Sequence, residues 1–423
     1  MAAAIEILAD LETRKRPAAD AVKEWMQTHR FAGSKDRTAI GDLVFGALRW
    51  KQSSAYRFGE DSPRAWVFGA QRWGFGQSAE DLAALCEGDP HAPPAPSENE
   101  MRALESATLN GAPSHIAGDY PEWLEESFAR AFGDARADEG AALAAPAPLD
   151  LRANTLRTTR EKVIEALNES PFLQNPPLEA PFAPDGVRLA WQPGRAFPWD
   201  KEQAFAKGWY EVQDEGSQLA ARLASAEPGM QVADICAGGG GKTLALAALM
   251  QNKGQIYAYD IDGRRLAPLK ERLDRAHARN VQIRAPARTH DVMKDLHGQM
   301  DLVLVDAPCS GTGTWRRNPD SKWRLRPAAL ETRRTEQQEA LALAAKLAKP
   351  GGRIVYVTCS VLPEENEDAI AAFLATHTGF TPAPLRIESV LADSAYKRGD
   401  AVQFTPRLTG CDGFFVAALT RTA

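Results

Sequence analysis

The chain contains few cysteines and no long apolar run. Its five cysteines are an odd number spread over 423 residues, with no CxxC pair and no Cys/His spacing typical of a zinc site. A disulfide framework and a metal centre are therefore both disfavoured, and free thiols fit a reducing compartment. Nowhere do about eighteen apolar residues follow one another, so the sequence predicts no membrane-spanning helix.

An excess of positive charge is also lacking. The 50 basic and 56 acidic residues give a net charge of −6, which offers no global attraction to nucleic acid, so any basic surface must be local. The opening MAAAIEILAD has no basic n-region, and we expect no signal peptide. Together these features predict a cytoplasmic globular protein, and the length predicts two or three domains.

Apolar periodicity divides the chain into three predicted domains. Residues 1–147 show three- and four-residue spacing and predict a helical domain, interrupted by a proline-rich loop over 86–118. Residues 148–208 carry short strand-like pieces around one helix and predict a small α/β module. Residues 209–423 alternate strands with helices, which predicts a doubly wound, mostly parallel sheet. Its predicted strands are Gln231–Ile235, Gln255–Tyr259, Val281–Arg284, Asp301–Val305 and Gly352–Val357, with helices near 242–251, 263–278, 327–348 and 364–376 and a closing hairpin at Ala401–Thr405 and Gly413–Leu419.

Two of these strands lead into cysteines. The run DLVLV is followed by Asp306 and Cys309, and the run GRIVYVT ends on Cys359. Ligands of open α/β sheets bind at the carboxyl ends of the strands, and neighbouring strands lie roughly 5 Å apart. A single cysteine is more often a core residue. Two of them beside an acid at adjacent strand ends favour a catalytic pair.

A run of four glycines follows the first strand, in DICAGGGGKT. Glycines let backbone N–H groups approach a ligand at the start of a helix. The run lacks only the first glycine of a phosphate-binding P-loop, where Cys236 stands, so a nucleotide hydrolase is one interpretation. However, Asp260 ends the next strand, where nucleoside-binding sheets place a carboxylate for the ribose hydroxyls. A nucleoside site is the favoured interpretation.

Two thiols and an acid suit the methylation of a pyrimidine at position 5. One thiolate adds to position 6, so that position 5 becomes able to attack a methyl sulfonium, which is covalent catalysis. Asp306 is a candidate for holding the N3/N4 edge of the base. The second thiol is a candidate for assisting release of the product.

Several motifs resemble those of the RsmB-type (Nop/Sun) RNA cytosine-5 methyltransferases. These are VADICAGGGGKT, YAYDID, DLVLVDAPCSGTG and GGRIVYVTCS, and GSKDRTAIGDLVFGALRW resembles the NusB-like helical domain of the ribosomal small-subunit RNA member. The resemblance implies a Rossmann-like S-adenosylmethionine domain in which Cys359 is the nucleophile, Cys309 assists release and Asp306 contacts base or cofactor. It further implies cofactor contacts from Cys236, Ala237, Gly238, Gly239, Gly240, Gly241, Lys242, Asp260, Asp306 and Asp291.

The sequence departs from the motifs of that family at two places. Gly238 and Gly239 replace the usual alanine and proline, which predicts a more flexible loop that can still close on the cofactor. After the third strand, in the turn 285–288, Ala287 stands where the family has an acid, and Asp291 is the candidate to take its place on the adenine side.

A basic segment follows Cys309. Between Ser310 and Arg334 the chain has seven basic and two acidic residues. A charge run is usually a solvated face, but this position favours contact with RNA phosphates, with the target base unstacked from its neighbours. The predicted RNA-binding residues are Arg316, Arg317, Lys322, Arg324 and Arg326.

The favoured function is thus an RNA cytosine-5 methyltransferase acting on ribosomal RNA, as a monomer without metal or membrane. Transfer RNA is an alternative substrate. A P-loop-like NTPase and a catalytically silent RNA-binding protein are alternatives of other classes.

Overall fold

A computed structural model describes residues 1–29, 33–88, 91–192, 194, 197–287, 289–386, 393 and 395–422. Arg288, the last residue of the predicted turn, lies outside these residues. The chain forms two compact units. The helical unit comprises Met1–Pro146, Gln192–Ala196 and Trp315–Leu325, and the sheet unit comprises Ala147–Trp191, Phe197–Thr314 and Arg326–Ala423. Across the described ranges, no helix combines the length and apolarity needed to cross a membrane.

The helical unit is built around one apolar core, as its three- and four-residue spacing predicts. Ile7, Leu8, Val44 and Phe68 are at most 2% exposed in this core. Its helices are Ala2–Arg14, Ala18–Thr28, Ser34–Arg49, Lys51–Phe58, Pro63–Gly69, Ala79–Ala84, Glu98–Ser106, Ser114–Ala117, Glu125–Phe132, Arg136–Ala144 and Ser321–Arg324, with a π-helical turn at Ala70–Gly74 and 3₁₀ turns at Glu122–Leu124 and Gly133–Ala135.

Two sequence predictions for this unit were wrong. The predicted loop 86–118 contains the helix Glu98–Ser106, because Ser97 and Glu100 form a capping box in which each accepts the other's backbone N–H. The segment Trp315–Leu325 was assigned to the domain 209–423 but belongs to the helical unit.

The first sheet of the sheet unit has four antiparallel strands. They are β1 (Leu149–Ala153), β2 (Leu178–Glu179), β3 (Gly186–Leu189) and β4 (Tyr210–Val212), in the order β2-β3-β1-β4. The helix Arg160–Asn168 covers this sheet with Val163 and Leu167. Strand β4 pairs with β1, so the predicted module boundary at 208 falls too early.

The second sheet carries the predicted doubly wound core. In the described residues it has nine strands: β5 (Gln231–Asp234), β6 (Gln255–Tyr259), β7 (Val281–Arg284), β8 (Met300–Asp306), β9 (Ala348–Thr358), β10 (Phe380–Ala383), β11 (Tyr396–Arg398), β12 (Ala401–Phe404) and β13 (Phe414–Arg421). The order is β11-β12-β13-β9-β8-β5-β6-β7, with β10 beside β13. Strands β5 to β9 are parallel and β12 and β13 are antiparallel, which confirms the predicted fold class and hairpin.

Helices connect the strands of the second sheet at nearly all predicted places. The exception is the helix predicted over 263–278, which begins only after Pro268, since proline lacks the backbone N–H of a helix interior. The helices of the sheet unit are Arg160–Asn168, Gln203–Ala206, Glu215–Leu223, Gly241–Leu249, Leu269–Ala276, Pro327–Leu347, Glu367–Thr376 and Pro406–Thr409, with 3₁₀ turns at Trp199–Lys201, Lys294–Leu296 and Thr312–Thr314.

Strands β8 and β9 are direct neighbours. Their register pairs Val305 with Tyr356 and Asp306 with Val357, and the interior of both strands is buried because both faces are covered. The loops that follow them therefore start at the same edge of the sheet.

Candidate active site

The two cysteines that follow β8 and β9 meet at that edge. The sulfur atoms of Cys309 and Cys359 lie 3.4 Å apart, and both residues are half-buried. Backbone bonds join the two loops, because Ala307 N donates to Val357 O at 2.8 Å and Gly313 N donates to Cys359 O at 3.0 Å. The structure thus brings together the two thiols that the strand ends predicted to converge.

The surroundings of Cys309 disfavour its thiolate form. The hydrogen bond with Cys359 and burial hold the pKa of the Cys309 thiol well above its usual value. The Cys309 and Cys359 sulfur atoms share this hydrogen bond, in which either can be the donor. Because the thiolate is the nucleophilic form of cysteine, these surroundings make Cys309 a poor nucleophile.

The loop that carries Cys309 is held on both sides of the cysteine. The buried carboxylate of Glu365 accepts from Ser310 N at 2.7 Å and from Ser310 Oγ, and burial raises its pKa. Gln337 Nε2 donates to Pro308 O at 3.0 Å and to Glu365 Oε1 at 3.1 Å. Sequence reasoning missed both residues, although the acid pair Glu364–Glu365, shortly after Cys359, was a signal for Glu365.

Cys359 is fixed in a similar way by Asn366. Thr358 Oγ1 donates to Asn366 Oδ1 at 2.6 Å, and Asn366 Nδ2 donates to Ser360 O at 3.0 Å. Asn366 is 1% exposed, so these bonds are shielded from bulk solvent. Buried side chains thus hold the neighbours of each thiol in place.

Asp306 forms an ion pair with the end of the glycine loop. Lys242 Nζ lies 2.8 Å from Asp306 Oδ2, and the lysine is 7% exposed. Burial alone lowers the pKa of Lys242, but the Asp306 charge and hydrogen bond outweigh it and the pKa is raised. The pair is therefore charged, and it places Asp306 between the glycine loop and the thiols.

The glycine loop has a backbone conformation and a close packing that require glycine. Gly238 and Gly240 have φ angles of +50° and +86°, which side chains other than glycine rarely adopt. A Cβ at Gly240 would lie 2.1 Å from Leu269 Cδ1. The loop runs directly into the helix Gly241–Leu249, whose first backbone N–H groups suit a negatively charged or polar ligand.

Asp260 joins the end of β6 to this loop. Its carboxylate is 1% exposed and accepts from Gly238 N at 3.0 Å and Asp262 N at 2.9 Å. Burial raises the pKa of the neighbouring Cys236 thiol well above its usual value, which disfavours the reactive thiolate form. Asp234, which binds Thr243 Oγ1 at 2.7 Å, has its pKa raised to about 7 by burial.

A cavity of about 620 Å³ lies beyond β7, where the resemblance implies adenine. Ala287 offers no carboxylate in the turn after β7. Asp291 lines the cavity and accepts from Met293 N at 2.8 Å through Oδ1, with His297 Nε2 3.3 Å from its Oδ2. The remaining lining residues are Ile283, Arg284, Ala285, His290, Val292, Lys294 and Asp295.

The predicted RNA-binding residues fall into two groups. Lys322 is 1% exposed, and its Nζ donates at 2.7 Å to the carbonyls of Arg49 and Asp119. The prediction that Lys322 binds phosphate is therefore wrong, and Arg316, 4% exposed, is also removed from the candidates. Arg317 is half-buried, whereas Arg324 and Arg326 are exposed. Of the predicted residues, the two exposed arginines are the most accessible to RNA in solution.

Comparison with known protein families gives two matches. The family described as 16S rRNA methyltransferase RsmB/F matches residues 221–420. The RsmF/B-like ferredoxin-like domain matches residues 120–193. The first match includes the glycine loop, the ion pair and both thiols.

Individual proteins with similar sequences carry a related description. The chain is 35% identical over 303 residues to the probable ribosomal RNA small subunit methyltransferase B of Synechocystis sp., covering 71% of this chain and 67% of that protein. It is 31% identical over 328 residues to ribosomal RNA small subunit methyltransferase B of Photorhabdus laumondii, covering 77% and 71%. The crystal structure of a methyltransferase homolog protein from Pyrococcus horikoshii is similar with a TM-score of 0.60 and 26% identity, covering 73% of this chain and 97% of that chain.

Proposed function

The chain belongs to the RsmB/F family of 16S rRNA methyltransferases, and from that premise we propose that it methylates carbon 5 of a cytosine in small-subunit ribosomal RNA. The observation that carries this proposal is the 3.4 Å separation of the Cys309 and Cys359 sulfur atoms at the strand ends. Methylation at a ring nitrogen or a ribose oxygen needs no such pair, since those atoms are nucleophiles themselves.

The glycine loop and Asp260 fit S-adenosylmethionine as the methyl donor. Residues Cys236 to Lys242 would hold the methionine part of the cofactor. The positive φ angles at Gly238 and Gly240 and the missing side chains let the ligand approach the backbone N–H groups there. Asp260 would accept hydrogen bonds from the ribose hydroxyls, and Asp291 lines the cavity proposed for the adenine. The bound cofactor supplies an electrophilic methyl group.

The two thiols have different roles in the proposed reaction. The sulfur of Cys359 adds to carbon 6 of the cytosine, which makes carbon 5 nucleophilic toward the methyl group. Asp306 holds the N3/N4 edge of the ring while charge develops on it. Once carbon 5 carries the methyl group, a water molecule takes the proton from carbon 5, and the electron pair of that C–H bond re-forms the double bond between carbons 5 and 6. The Cys359 sulfur then leaves with the electron pair of its bond to carbon 6, and Cys309, which already hydrogen-bonds that sulfur, assists its departure.

An RNA methylation assay tests the proposed function. The protein would be incubated with labelled S-adenosylmethionine and either small-subunit ribosomal RNA or transfer RNA, followed by bisulfite sequencing. We expect 5-methylcytosine at one site in the ribosomal RNA. Label confined to transfer RNA would support the alternative substrate. Label at any atom other than cytosine carbon 5 would overturn the proposal.

Changing Asp260 to asparagine should weaken cofactor binding. Asparagine keeps one acceptor but loses the charge that strengthens bonds to the ribose hydroxyls, and it disturbs the bond to Gly238 N. We expect the dissociation constant for S-adenosylmethionine to rise by roughly 10- to 100-fold, from a loss of about 1.5–3 kcal/mol. Isothermal titration calorimetry would measure it. The matched control is Asp262→Asn, whose carboxylate pairs with the exposed Arg264, and equal effects of both changes would contradict the ribose role.

Neutralising Arg324 and Arg326 should weaken RNA binding in a salt-dependent manner. Both side chains are exposed, and each phosphate contact adds about 0.7 to the slope of log K against log salt for single strands. The double change to glutamine should therefore lower the slope by about 1.4. Filter binding over a salt series would measure it. The control with the same charge change is Arg333→Gln with Arg334→Gln, farther along the chain, where each arginine pairs with a nearby acid as Arg324 does with Asp320. An unchanged slope would mean that Arg324 and Arg326 are solvated surface residues that do not contact RNA phosphates.

A further inference from the structure

The glycine loop contains three adjacent glycines, Gly238, Gly239 and Gly240, before the helix that begins at Gly241, and such a segment loses much conformational entropy when it is ordered. Besides Asp260, which accepts from Gly238 N, an arginine of another element holds this segment. Arg272, in the helix Leu269–Ala276, donates from Nη1 to Gly239 O at 2.5 Å. The Arg272 guanidinium also fills the space beside Gly239, since a Cβ on that glycine would lie 3.2 Å from Arg272 Nη1.

The arginine is itself fixed by a buried acid in the first sheet. Glu211, in β4, accepts from Arg272 Nη2 at 2.8 Å and from Arg272 Nε at 3.2 Å. Glu211 is 3% exposed, and its other oxygen accepts from Arg275 Nη2 at 2.5 Å. A planar guanidinium bound along one edge to a carboxylate has little freedom left, so its remaining N–H group points in a fixed direction.

From these contacts we infer that Arg272 is a positioning residue for cofactor binding. The hydrogen bonds from Arg272 to Glu211 and to Gly239 O fix the glycine loop in its binding conformation before the ligand arrives. The loop then needs less ordering on binding, and the affinity is correspondingly higher. This inference rests on the proposed role of the loop in holding S-adenosylmethionine. By this inference β4 of the first sheet supports the cofactor site through Glu211, although no residue of β4 belongs to the glycine loop.

The chain offers a matched pair of variants to test this role. Arg272→Met keeps the aliphatic stem but removes the bond to Gly239 O. Arg275→Met removes an arginine of the same helix that binds the same Glu211 carboxylate, through its other oxygen. Either change leaves Glu211 one arginine, so the buried acid stays paired and the fold is retained. A general effect of disturbing Glu211 would appear equally in both variants.

Two measurements decide the inference. In the cofactor-free protein, hydrogen–deuterium exchange of the amides of residues 237–241 should be faster in Arg272→Met than in the wild type and in Arg275→Met. By calorimetry, the dissociation constant for S-adenosylmethionine should rise about tenfold in Arg272→Met, since a charge-assisted hydrogen bond is lost, and less than twofold in Arg275→Met. Arg272→Lys should resemble Arg272→Met, because one ammonium cannot replace the edge of a guanidinium.

A second-site change provides a rescue. With Arg272 shortened to alanine, Gly239→Ala has room, since the next atom is Pro268 Cγ at 3.7 Å. The added methyl reduces the freedom of the loop and should recover about two- to fivefold of the lost affinity. Equal dissociation constants and equal loop exchange in wild type and Arg272→Met would overturn the inference. If the wild type binds no S-adenosylmethionine, the proposed function is wrong. In that case the hydrogen–deuterium exchange of the loop amides alone supports or overturns the role of Arg272 in fixing the loop.

Discussion

Replacing Cys309 with serine should leave the protein covalently attached to its RNA. Cys309 shares a hydrogen bond with the Cys359 sulfur, 3.4 Å away, and that bond and burial hold the pKa of the Cys309 thiol well above its usual value. Addition and methyl transfer use Cys359 and proceed in the variant, whereas departure of the sulfur is slowed. We expect a labelled RNA to migrate with the protein on a denaturing gel, and turnover to fall by more than about 10³-fold.

Cys359→Ser should give equally low turnover but no adduct, because the oxygen nucleophile is not activated at this site. The double variant Cys309→Ser with Cys359→Ser should also give no adduct. Cys86→Ser is the control, since Cys86 is a half-buried thiol of the helical unit. An adduct that forms in Cys359→Ser and not in Cys309→Ser would reverse the two roles.

The framework of this site could be predicted from the sequence because it depends on local patterns. Apolar runs such as those of β8 and β9 can be stable only when both faces are covered, which predicts a parallel sheet. Their carboxyl ends then lie at one edge. Cys309, Cys359 and Asp306 follow directly from that argument, and the register of β8 with β9 confirms that the strands are adjacent.

The residues that position the thiols could not be predicted in this way. Glu365 lies 55 residues from Ser310, and Gln337 lies 29 residues from Pro308. A glutamate at the start of a helix is usually explained by the helix dipole. Only the folded chain shows that this one is buried and accepts two hydrogen bonds from Ser310, because that contact depends on the packing of two distant segments.

Lys322 shows the opposite failure, in which a local pattern was misleading. A lysine in a basic, tryptophan-containing segment is normally solvated, and lysine is rarely buried without partners. Here two backbone carbonyls and the buried Asp119 supply the partners within the helical unit, although burial lowers the lysine pKa to about 7. Charge patterning does not reveal which basic residue of a run will find such partners.

Changing Asp306 to asparagine should remove most of the catalytic rate while leaving the protein folded. Asparagine preserves the shape of the side chain but not the charge that Lys242 Nζ meets at 2.8 Å. Without that charge, burial lowers the pKa of Lys242, and the cytosine ring loses the carboxylate at its N3/N4 edge during addition of the thiolate. Turnover should fall by roughly 10²–10⁴-fold, the range for one positioned acid–base group.

The stability cost of this change should be moderate. Breaking a fully buried ion pair typically costs 3–5 kcal/mol, but the Asp306 side chain is 33% exposed, so we expect about 1–3 kcal/mol in urea unfolding. Asp301→Asn is the matched control, because Asp301 lies at the other end of β8 and also pairs with a lysine, Lys349. It should lose comparable stability and retain turnover. A role of Asp306 at the cytosine base requires that only the Asp306 variant loses turnover. Equal turnover in the two variants would therefore mean that Asp306 contributes only to stability.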